Sequence, residues 1–151
     1  MEIIRVRTSR ILKYIEPHLT FTNPGNKLLF LEQFMKAMEL SPESIMVLAA
    51  IDDSETVKAF LIAENPGFKS QHISIAQTWS HPDNPWSIAE EIFARVVMWA
   101  LALGKTCIRG ETQRNTEAVY RRFGMQPIAQ VMQLDLDMVQ PNLVKCIKEV
   151  L

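Results

Sequence analysis

Acidic residues at the ends of two predicted strands are the first candidates for proton chemistry in this sequence. Glu64 ends one strand and Glu111 follows another, and a carboxylate in such a position can serve as a general base. His72 and His81 are weaker candidates, because an isolated histidine is more often a surface residue. Since charged residues are common at strand ends without any catalytic role, both interpretations of the two carboxylates stay open here.

Several other catalytic arrangements are absent from the sequence. The three histidines and two cysteines do not have the spacing of metal ligands. No nucleophile elbow, no phosphate-binding P-loop and no Cys-x-x-Cys pair occurs. We therefore expect no metal site, and we interpret Cys107 and Cys146 as reduced cysteines of a cytoplasmic protein.

The composition predicts one folded domain over residues 1–151. The chain is 48% hydrophobic and 22% charged, which excludes a disordered protein. Its net charge of −1 gives no general attraction to nucleic acid. The longest apolar run has nine residues, 96–104, whereas a membrane span needs about 20. Because the first residues also lack a signal-peptide pattern, we expect a cytoplasmic protein without nucleic-acid or membrane partners.

The first half of the chain predicts a strand, two helices and three further strands. The first strand covers residues 2–6, and the helices cover 9–19 and 26–40, with Ser9 and Asn26 as their N-caps. Short turns join the three later strands, so we expect an antiparallel meander. These strands are predicted at 45–51, 57–64 and 71–79.

Alternation along residues 71–79 predicts which side chains share a face of the sheet. We expect Ile73, Ile75 and Trp79 on one face. The opposite face would carry polar or small side chains, namely His72, Ser74, Ala76 and Thr78.

The second half of the chain predicts alternating helices and strands. A helix capped by Ser87 covers residues 88–103, with Ile92, Val96 and Trp99 on its buried stripe. A helix separates the strands 71–79 and 106–110, so we expect these two strands to run parallel. The remaining elements are a helix at 116–123, a strand at 130–136 and a helix from Pro141. The prediction is an α+β or mixed α/β domain with one central sheet and flanking helices.

Two short segments in the last third of the chain resemble segments of a known family. Residues 119–125 read Val-Tyr-Arg-Arg-Phe-Gly-Met and resemble the Leu-Tyr-x-x-x-Gly-Phe segment of the GCN5-related N-acetyltransferase (GNAT) superfamily. In that family a closing hairpin of strands follows, and residues 132–136 resemble its last strand. The order of elements matches along residues 2–137, while the sequence match covers about residues 81–136. The resemblance implies a mostly antiparallel sheet with one splayed parallel pair.

The resemblance also implies an N-acetyltransferase that moves an acetyl group from acetyl-coenzyme A to an amine. The donor would lie in the wedge where the strands 71–79 and 106–110 separate. A small-molecule or peptide amine would lose a proton to Glu64, Glu111 or water and attack the thioester. Tyr120 would then protonate the leaving thiolate, and a backbone amide would stabilise the oxyanion. The alternative for Tyr120 is a half-buried residue that only packs its helix.

The cofactor residues implied by the resemblance surround the start of the helix 88–103, where free amides would hold the pyrophosphate. The family pattern Gln/Arg-x-x-Gly-x-Gly/Ala falls on Asn84, Ser87 and Ala89, and only Ala89 satisfies it. Pro85 has no N–H, and the family's asparagine before the tyrosine helix falls on Gln113. With Arg121 and its neighbour Arg122 near the adenosine phosphates, the set implied is Trp79, Ser80, Asn84, Ser87, Ile88, Ala89 and Arg121.

A second hypothesis is a non-catalytic binding or structural protein of the same fold, for example from a virus or mobile element, that has lost cofactor binding. The divergent phosphate loop favours this hypothesis. The apolar stripe of the terminal helix, within residues 138–151, favours it too. Such a helix can bind a partner protein or a second copy of the chain.

Overall fold

One mixed sheet organises the protein. The computed structural model describes residues 1–7, 10–19, 24–111, 117–128 and 131–150. Within these ranges the strands are β1 (Glu2–Arg5), β2 (Ile45–Ile51), β3 (Val57–Glu64), β4 (His72–Ser80), β5 (Cys107–Glu111), β6 (Gln126–Ile128) and β7 (Val131–Asp135). They are ordered β1-β2-β3-β4-β5-β7-β6, and all neighbours are antiparallel except β4 and β5. The predicted fold class and its single parallel pair are confirmed.

Helices cover both faces of this sheet. Over the described residues they are α1 (Ile11–Tyr14), α2 (Pro24–Leu40), α3 (Trp86–Ala102), α4 (Glu117–Arg122) and α5 (Pro141–Val150). α1 and α2 pack on one face, and α3, α4 and α5 pack on the other. None of the helices in these ranges is both long and apolar enough to cross a bilayer.

α5 begins at Pro141 as predicted, whereas α2 and α3 begin at other residues than the sequence predicted. α3 begins at Trp86 with Pro85 as its N-cap and no side-chain cap hydrogen bond, so the predicted Ser87 cap is wrong. Pro85 has an extended backbone at this position, and it has no N–H that would need a hydrogen-bond partner. α2 extends from Pro24 to Leu40, which places Asn26 inside the helix and makes its predicted role as N-cap wrong. Ser9, the other predicted cap, lies outside the described residues.

The predicted helix 9–19 and the hairpin near the chain's end also differ in detail. α1 is a single turn followed by a 3-10 helix, Glu16–His18, because Pro17 cannot donate the hydrogen bond that a longer α-helix needs. β6 is three residues long and contains Pro127, so its sequence lacks strand alternation. It pairs antiparallel with β7 and completes the closing hairpin.

The two faces of β2 and β3 are both buried. Alternate residues such as Val47 and Ile62 pack against α1 and α2. The residues between them, such as Leu48 and Leu61, pack against the α3 side. Every residue of β2 is therefore buried.

A β-bulge interrupts the pairing of β3 with β4. Ile62 pairs with Gln77, whereas the next residue, Ala63, pairs with Ile75. Ala76 is thus an extra residue on β4. Because side chains alternate with a period of two, one extra residue exchanges the faces of everything that follows it.

The bulge places Trp79 on the face opposite to the predicted one. Ile73 and Ile75 precede the bulge and pack toward α3. Trp79 follows it, lies opposite Phe60 and packs with the α1 and α2 core. The prediction that Trp79 shares a face with Ile73 and Ile75 is therefore wrong.

The helices on the α3 side follow the predicted stripes. Ile92, Val96 and Trp99 are buried, as their spacing predicts. α5 packs on α3, with Leu143 buried and Ile147 partly buried. Part of the apolar face of α5 is thus used within the chain, and a partner for this helix stays a prediction.

Candidate active site at the parallel strands

The two parallel strands are paired only at their amino ends. Their register runs from His72 with Cys107 to Ile75 with Gly110. β4 then continues to Ser80 without a β5 partner in the described residues. The predicted parallel direction is confirmed, and we call the end of the paired segment, at Ile75 and Gly110, the fork.

Tyr120 lies beside the last paired position of this fork. A Cβ atom at Gly110 would lie 2.8 Å from the ring atoms Cε2 and Cζ of Tyr120 and 3.0 Å from its hydroxyl oxygen. Tyr120 is 4% exposed, and burial raises its pKa to about 12. The hydroxyl group therefore keeps its proton at neutral pH and is a hydrogen-bond donor at the fork.

Two cavities meet at Tyr120. The wedge cavity, of about 800 Å³, lies between the carboxyl end of β4 and the first turns of α3. The polar cavity, of about 500 Å³, is lined by β3, β4 and β5 side chains. Gln77, Thr78 and Tyr120 line both cavities. Tyr120 therefore lies where the two cavities border each other.

A row of polar side chains crosses the sheet along the polar cavity. Ser74 pairs with Glu64 on one side and with Arg109 on the other, so these three side chains share a face. The Nε atom of Arg109 donates to Oε1 of Gln133 at 2.8 Å, which extends the row to β7. The core that α1 and α2 bury on this face is built on β1, β2 and β3. The polar row is the part of the face beyond that core.

The titratable groups of the polar cavity include two candidate bases with shifted pKa values. Burial raises the pKa of Glu64. Burial also lowers the pKa of His72, and the positive charges of Arg109 and Lys105 lower it further. A higher pKa makes Glu64 a better proton acceptor, and a lower one keeps His72 unprotonated. Glu111 lines the same cavity as an exposed side chain.

The start of α3 has fewer available amides than an ordinary helix N-terminus. Pro85 has no N–H, and the Ile88 amide donates to the Pro85 carbonyl at 3.1 Å. The amides of Trp86 and Ser87 have no acceptor among the residues that the structure describes. The Asn84 side chain braces the preceding loop, because its Nδ2 atom donates to the Lys58 carbonyl at 2.6 Å and to Ser80 Oγ at 3.0 Å.

An aromatic stack lies beside these amides. The ring of Trp86 stacks on Phe123 at a centroid distance of 4.7 Å, and Phe123 stacks on Phe93 at 4.2 Å. The guanidinium of Arg122 lies 4.0 Å from the Trp86 ring centroid. Arg121 instead pairs with Glu117 of its own helix at 3.0 Å. Arg122 is therefore the arginine that brings positive charge to the first turn of α3.

Comparison with solved structures identifies the fold, whereas no family model and no curated protein matches the chain. A GNAT-family protein from Desulfovibrio desulfuricans superposes with a TM-score of 0.67 at 12% identity, over 89% of this chain and 98% of that one. An aminoglycoside antibiotic 6'-N-acetyltransferase from Acinetobacter haemolyticus gives 0.66 at 15% identity, over 84% and 92% of the two chains. AAC(6')-Iy in complex with a CoA bisubstrate analogue gives 0.62 at 14% identity, over 83% and 90%. The chain has the GNAT fold.

Within this GNAT fold, four of the predicted cofactor residues line the wedge cavity. They are Trp79, Ser80, Asn84 and Ala89. In the described structure Ser87, Ile88 and Arg121 do not line it, although Ser87 offers one of the two available amides. The roles of all seven residues stay predictions. Gln113, whose position falls on the family asparagine, lies outside the described residues.

Several residues that line the wedge cavity or the polar cavity were not predicted from the sequence. Gln77 and Thr78 were not singled out, since only the bulge brings them to both cavities. His18 stacks on Trp79 at a centroid distance of 4.1 Å. Because the two residues are far apart in sequence, no local pattern predicts this contact. Arg109 occupies an alternating position in a short strand, so its side of the sheet was predictable. No group of histidine, cysteine, aspartate or glutamate in the described ranges could hold a metal.

Proposed function

We propose that the protein is an acyltransferase that moves an acetyl group from acetyl-coenzyme A to an amine. The observation that carries the proposal is the position of the Tyr120 hydroxyl at the fork of β4 and β5, where the two cavities meet. A thioester in the wedge cavity and an amine in the polar cavity would meet beside this one hydroxyl group. A protein of the same fold was solved with a CoA bisubstrate analogue, which supports the choice of donor.

The wedge cavity fits the thioester arm of such a donor. Its volume of about 800 Å³ lies within the range of about 300–1,000 Å³ that is typical of small-molecule sites. Backbone groups of β4 beyond Ile75 lack a β5 partner in the described structure and can pair with the amides of pantetheine. The amides of Trp86 and Ser87, with the guanidinium of Arg122, would hold the pyrophosphate.

The polar residues on either side of the fork would move the protons. Glu64, with its raised pKa, takes a proton from the acceptor ammonium. The amine nitrogen then bonds to the acetyl carbonyl carbon, and the carbon–sulfur bond breaks. The new amide releases one proton and the thiolate takes one up, so the products are an N-acetylamine and a free thiol.

Tyr120 would act on the departing sulfur. Its pKa of about 12 lies above the value of about 8.5 for an ordinary thiol, so full proton transfer to the thiolate is unfavourable. We therefore assign Tyr120 the role of a hydrogen-bond donor that stabilises the thiolate as it forms.

The first turn of α3 favours a second candidate function, a non-catalytic binding protein that keeps the GNAT fold. Pro85 lacks an amide hydrogen, and the Ile88 amide is already bonded. Only two amides of that turn remain for a pyrophosphate in the described structure, and a binding protein would need none.

Thermal denaturation with acetyl-coenzyme A separates the two functions. A ligand at 100 times its dissociation constant should add about 2.7 kcal/mol to the free energy of unfolding. We expect such stabilisation together with release of free thiol when amines are added. No stabilisation at millimolar acetyl-coenzyme A would contradict the proposal and favour the binding protein.

A pair of neighbouring arginines supplies a matched control for donor binding. Arg122→Gln should weaken acetyl-coenzyme A binding by about two- to fivefold, the usual contribution of one exposed ionic contact. Arg121→Gln should leave binding unchanged, because Arg121 is paired with Glu117. Equal effects of the two substitutions in a binding titration would show that the guanidinium over Trp86 does not contact the donor.

A further inference from the structure

A third cavity adjoins the polar cavity at Glu64. This apolar pocket, of about 290 Å³, lies between α2 and the neighbouring ends of β2 and β3. Its apolar lining consists of Phe30, Phe34, Ala37, Ile45 and Pro66. Glu64 lines both the apolar pocket and the polar cavity. The Glu64 side chain therefore lies where the polar cavity and the apolar pocket border each other.

The apolar pocket offers mainly hydrocarbon to a ligand. The rings of Phe30 and Phe34 are stacked at a centroid distance of 5.6 Å. Of the polar residues in its lining besides Glu64, Gln33 is an exposed side chain, and Ser44 and Asn65 make hydrogen bonds within the chain. The Oγ atom of Ser44 donates to the Ser41 carbonyl at 2.7 Å, and Oδ1 of Asn65 accepts the Gly67 amide at 3.1 Å. An aromatic or branched aliphatic group would thus suit this pocket better than a hydroxylated one.

The charges of the polar cavity match one ammonium group. Its lining carries the carboxylates of Glu64 and Glu111 and the guanidinium of Arg109. These groups sum to one negative charge when both carboxylates are ionised. Because Arg109 offsets one of the two carboxylates, a second or third ammonium on the same acceptor would leave this cavity with an excess of positive charge.

We propose that the acceptor is a monoamine whose aromatic or branched apolar group fills the apolar pocket while its amine lies beside Glu64. The inference rests on the proposed acetyl transfer and specifies its substrate class. An apolar cavity of about 150 Å³ can hold benzene, so a pocket of about 290 Å³ has room for one ring and a short linker.

The test compares acetylation of four amines by the wild-type protein, followed as free-thiol release with acetyl-coenzyme A. The amines are 2-phenylethylamine, ethylamine, spermidine and neamine. We expect kcat/KM for 2-phenylethylamine to exceed that for ethylamine by about 10- to 100-fold, from burial of one aromatic group. Spermidine and neamine should be poorer substrates than 2-phenylethylamine.

A substitution that fills the apolar pocket locates the bound group. Ala37→Leu adds volume inside the pocket and should bring the ratio of the kcat/KM values for 2-phenylethylamine and ethylamine toward one. Ala102→Leu adds the same volume at the exposed end of α3 and should leave this ratio unchanged. The ratio in the wild-type protein decides the proposal even if Ala37→Leu does not fold.

The possible results distinguish failure of this inference from failure of the proposed function. If the kcat/KM for ethylamine, spermidine or neamine equals that for 2-phenylethylamine, the proposed substrate class is wrong, whereas the proposed acetyl transfer stands. An unchanged ratio in folded Ala37→Leu would overturn the placement of the apolar group. If acetyl-coenzyme A binds but no amine releases thiol, the proposed function is wrong, and this inference with it.

Discussion

Two regions of the sheet differ in how their faces are covered. One region is the pair of strands β2 and β3, and the other is the pair β4 and β5. β2 and β3 have a hydrophobic core on each side, and every residue of β2 is buried. In β4 only Ile73 and Ile75 are buried, and they face α3. The opposite face of β4 and β5 carries Ser74 and Arg109 along the polar cavity.

Because of this difference, β2 and β3 contribute mainly to stability, whereas the open face of β4 and β5 carries the candidate reactive groups. Side chains on the two covered faces of β2 and β3 increase the free energy of unfolding in proportion to the apolar area that they bury. Polar side chains on the open face keep their contact with water, so they can change without a packing penalty. Tyr120 belongs to both regions, because it is buried in the α3 core and also lines both cavities.

Removing a large side chain from the covered region should have the greatest effect on stability. Trp99 of α3 is 8% exposed within the core of the α3 side, and Trp99→Ala should lower the free energy of unfolding by about 3–5 kcal/mol. Urea denaturation measures this loss. Trp86→Ala, at the half-buried edge of the wedge, should lose less. A loss below about 1 kcal/mol for Trp99→Ala would show that this side chain is not part of the core.

Crowding the fork should have an intermediate effect on stability and a clear effect on turnover. In Gly110→Ala the new methyl group would lie 2.8 Å from the Tyr120 ring, so the ring must move. We expect a loss of about 1–3 kcal/mol in denaturant melts, together with lower turnover. In a Tyr120→Ala background the same substitution should cost much less, because the ring is gone. Equal costs in the two backgrounds would contradict the contact.

Neutralising Glu64 on the open face should have the smallest effect on stability, and its sign depends on pH. Burial raises the folded-state pKa of Glu64, so the folded protein binds this proton more tightly than the unfolded chain does. Wild-type stability should therefore fall, relative to Glu64→Gln, as pH rises from about 4.3 through the folded-state pKa.

Denaturant melts across this pH range measure the free energy of unfolding of the wild type and of Glu64→Gln. Glu111→Gln serves as an exposed control. If the wild type instead gains stability relative to Glu64→Gln as pH rises, a nearby positive charge, and not burial, governs this carboxyl.

The general plan of the sheet was predictable because local sequence signals determine it. Turn residues between short apolar runs predict the meander of β2, β3 and β4, and the helix between β4 and β5 predicts their parallel direction. The spacing of Ile92, Val96 and Trp99 predicts the buried face of α3. Tyr120 was singled out only through the family resemblance, since one tyrosine on a short helix carries no signal of its own.

The features that the sequence did not predict depend on contacts between distant residues. The bulge at Ala76, which turns Trp79 to the other face, has no side-chain signature. Arg121 and Arg122 are equivalent in sequence, and only the packing of α4 places Arg122 over Trp86. The apolar pocket joins α2 to the ends of β2 and β3, so no single segment reveals it.

The turnover of Tyr120→Phe tests the central claim most directly, because the substitution removes the hydroxyl group and keeps the ring. We expect thiol release at saturating amine to fall by about 10²–10³-fold, the loss typical of one hydrogen-bond donor to a developing anion. Melting temperature and acetyl-coenzyme A affinity should be unchanged. Since the Tyr120 pKa is about 12, the loss should be uniform between pH 6 and pH 10. Wild-type turnover in Tyr120→Phe would contradict the account and leave Tyr120 as a packing residue.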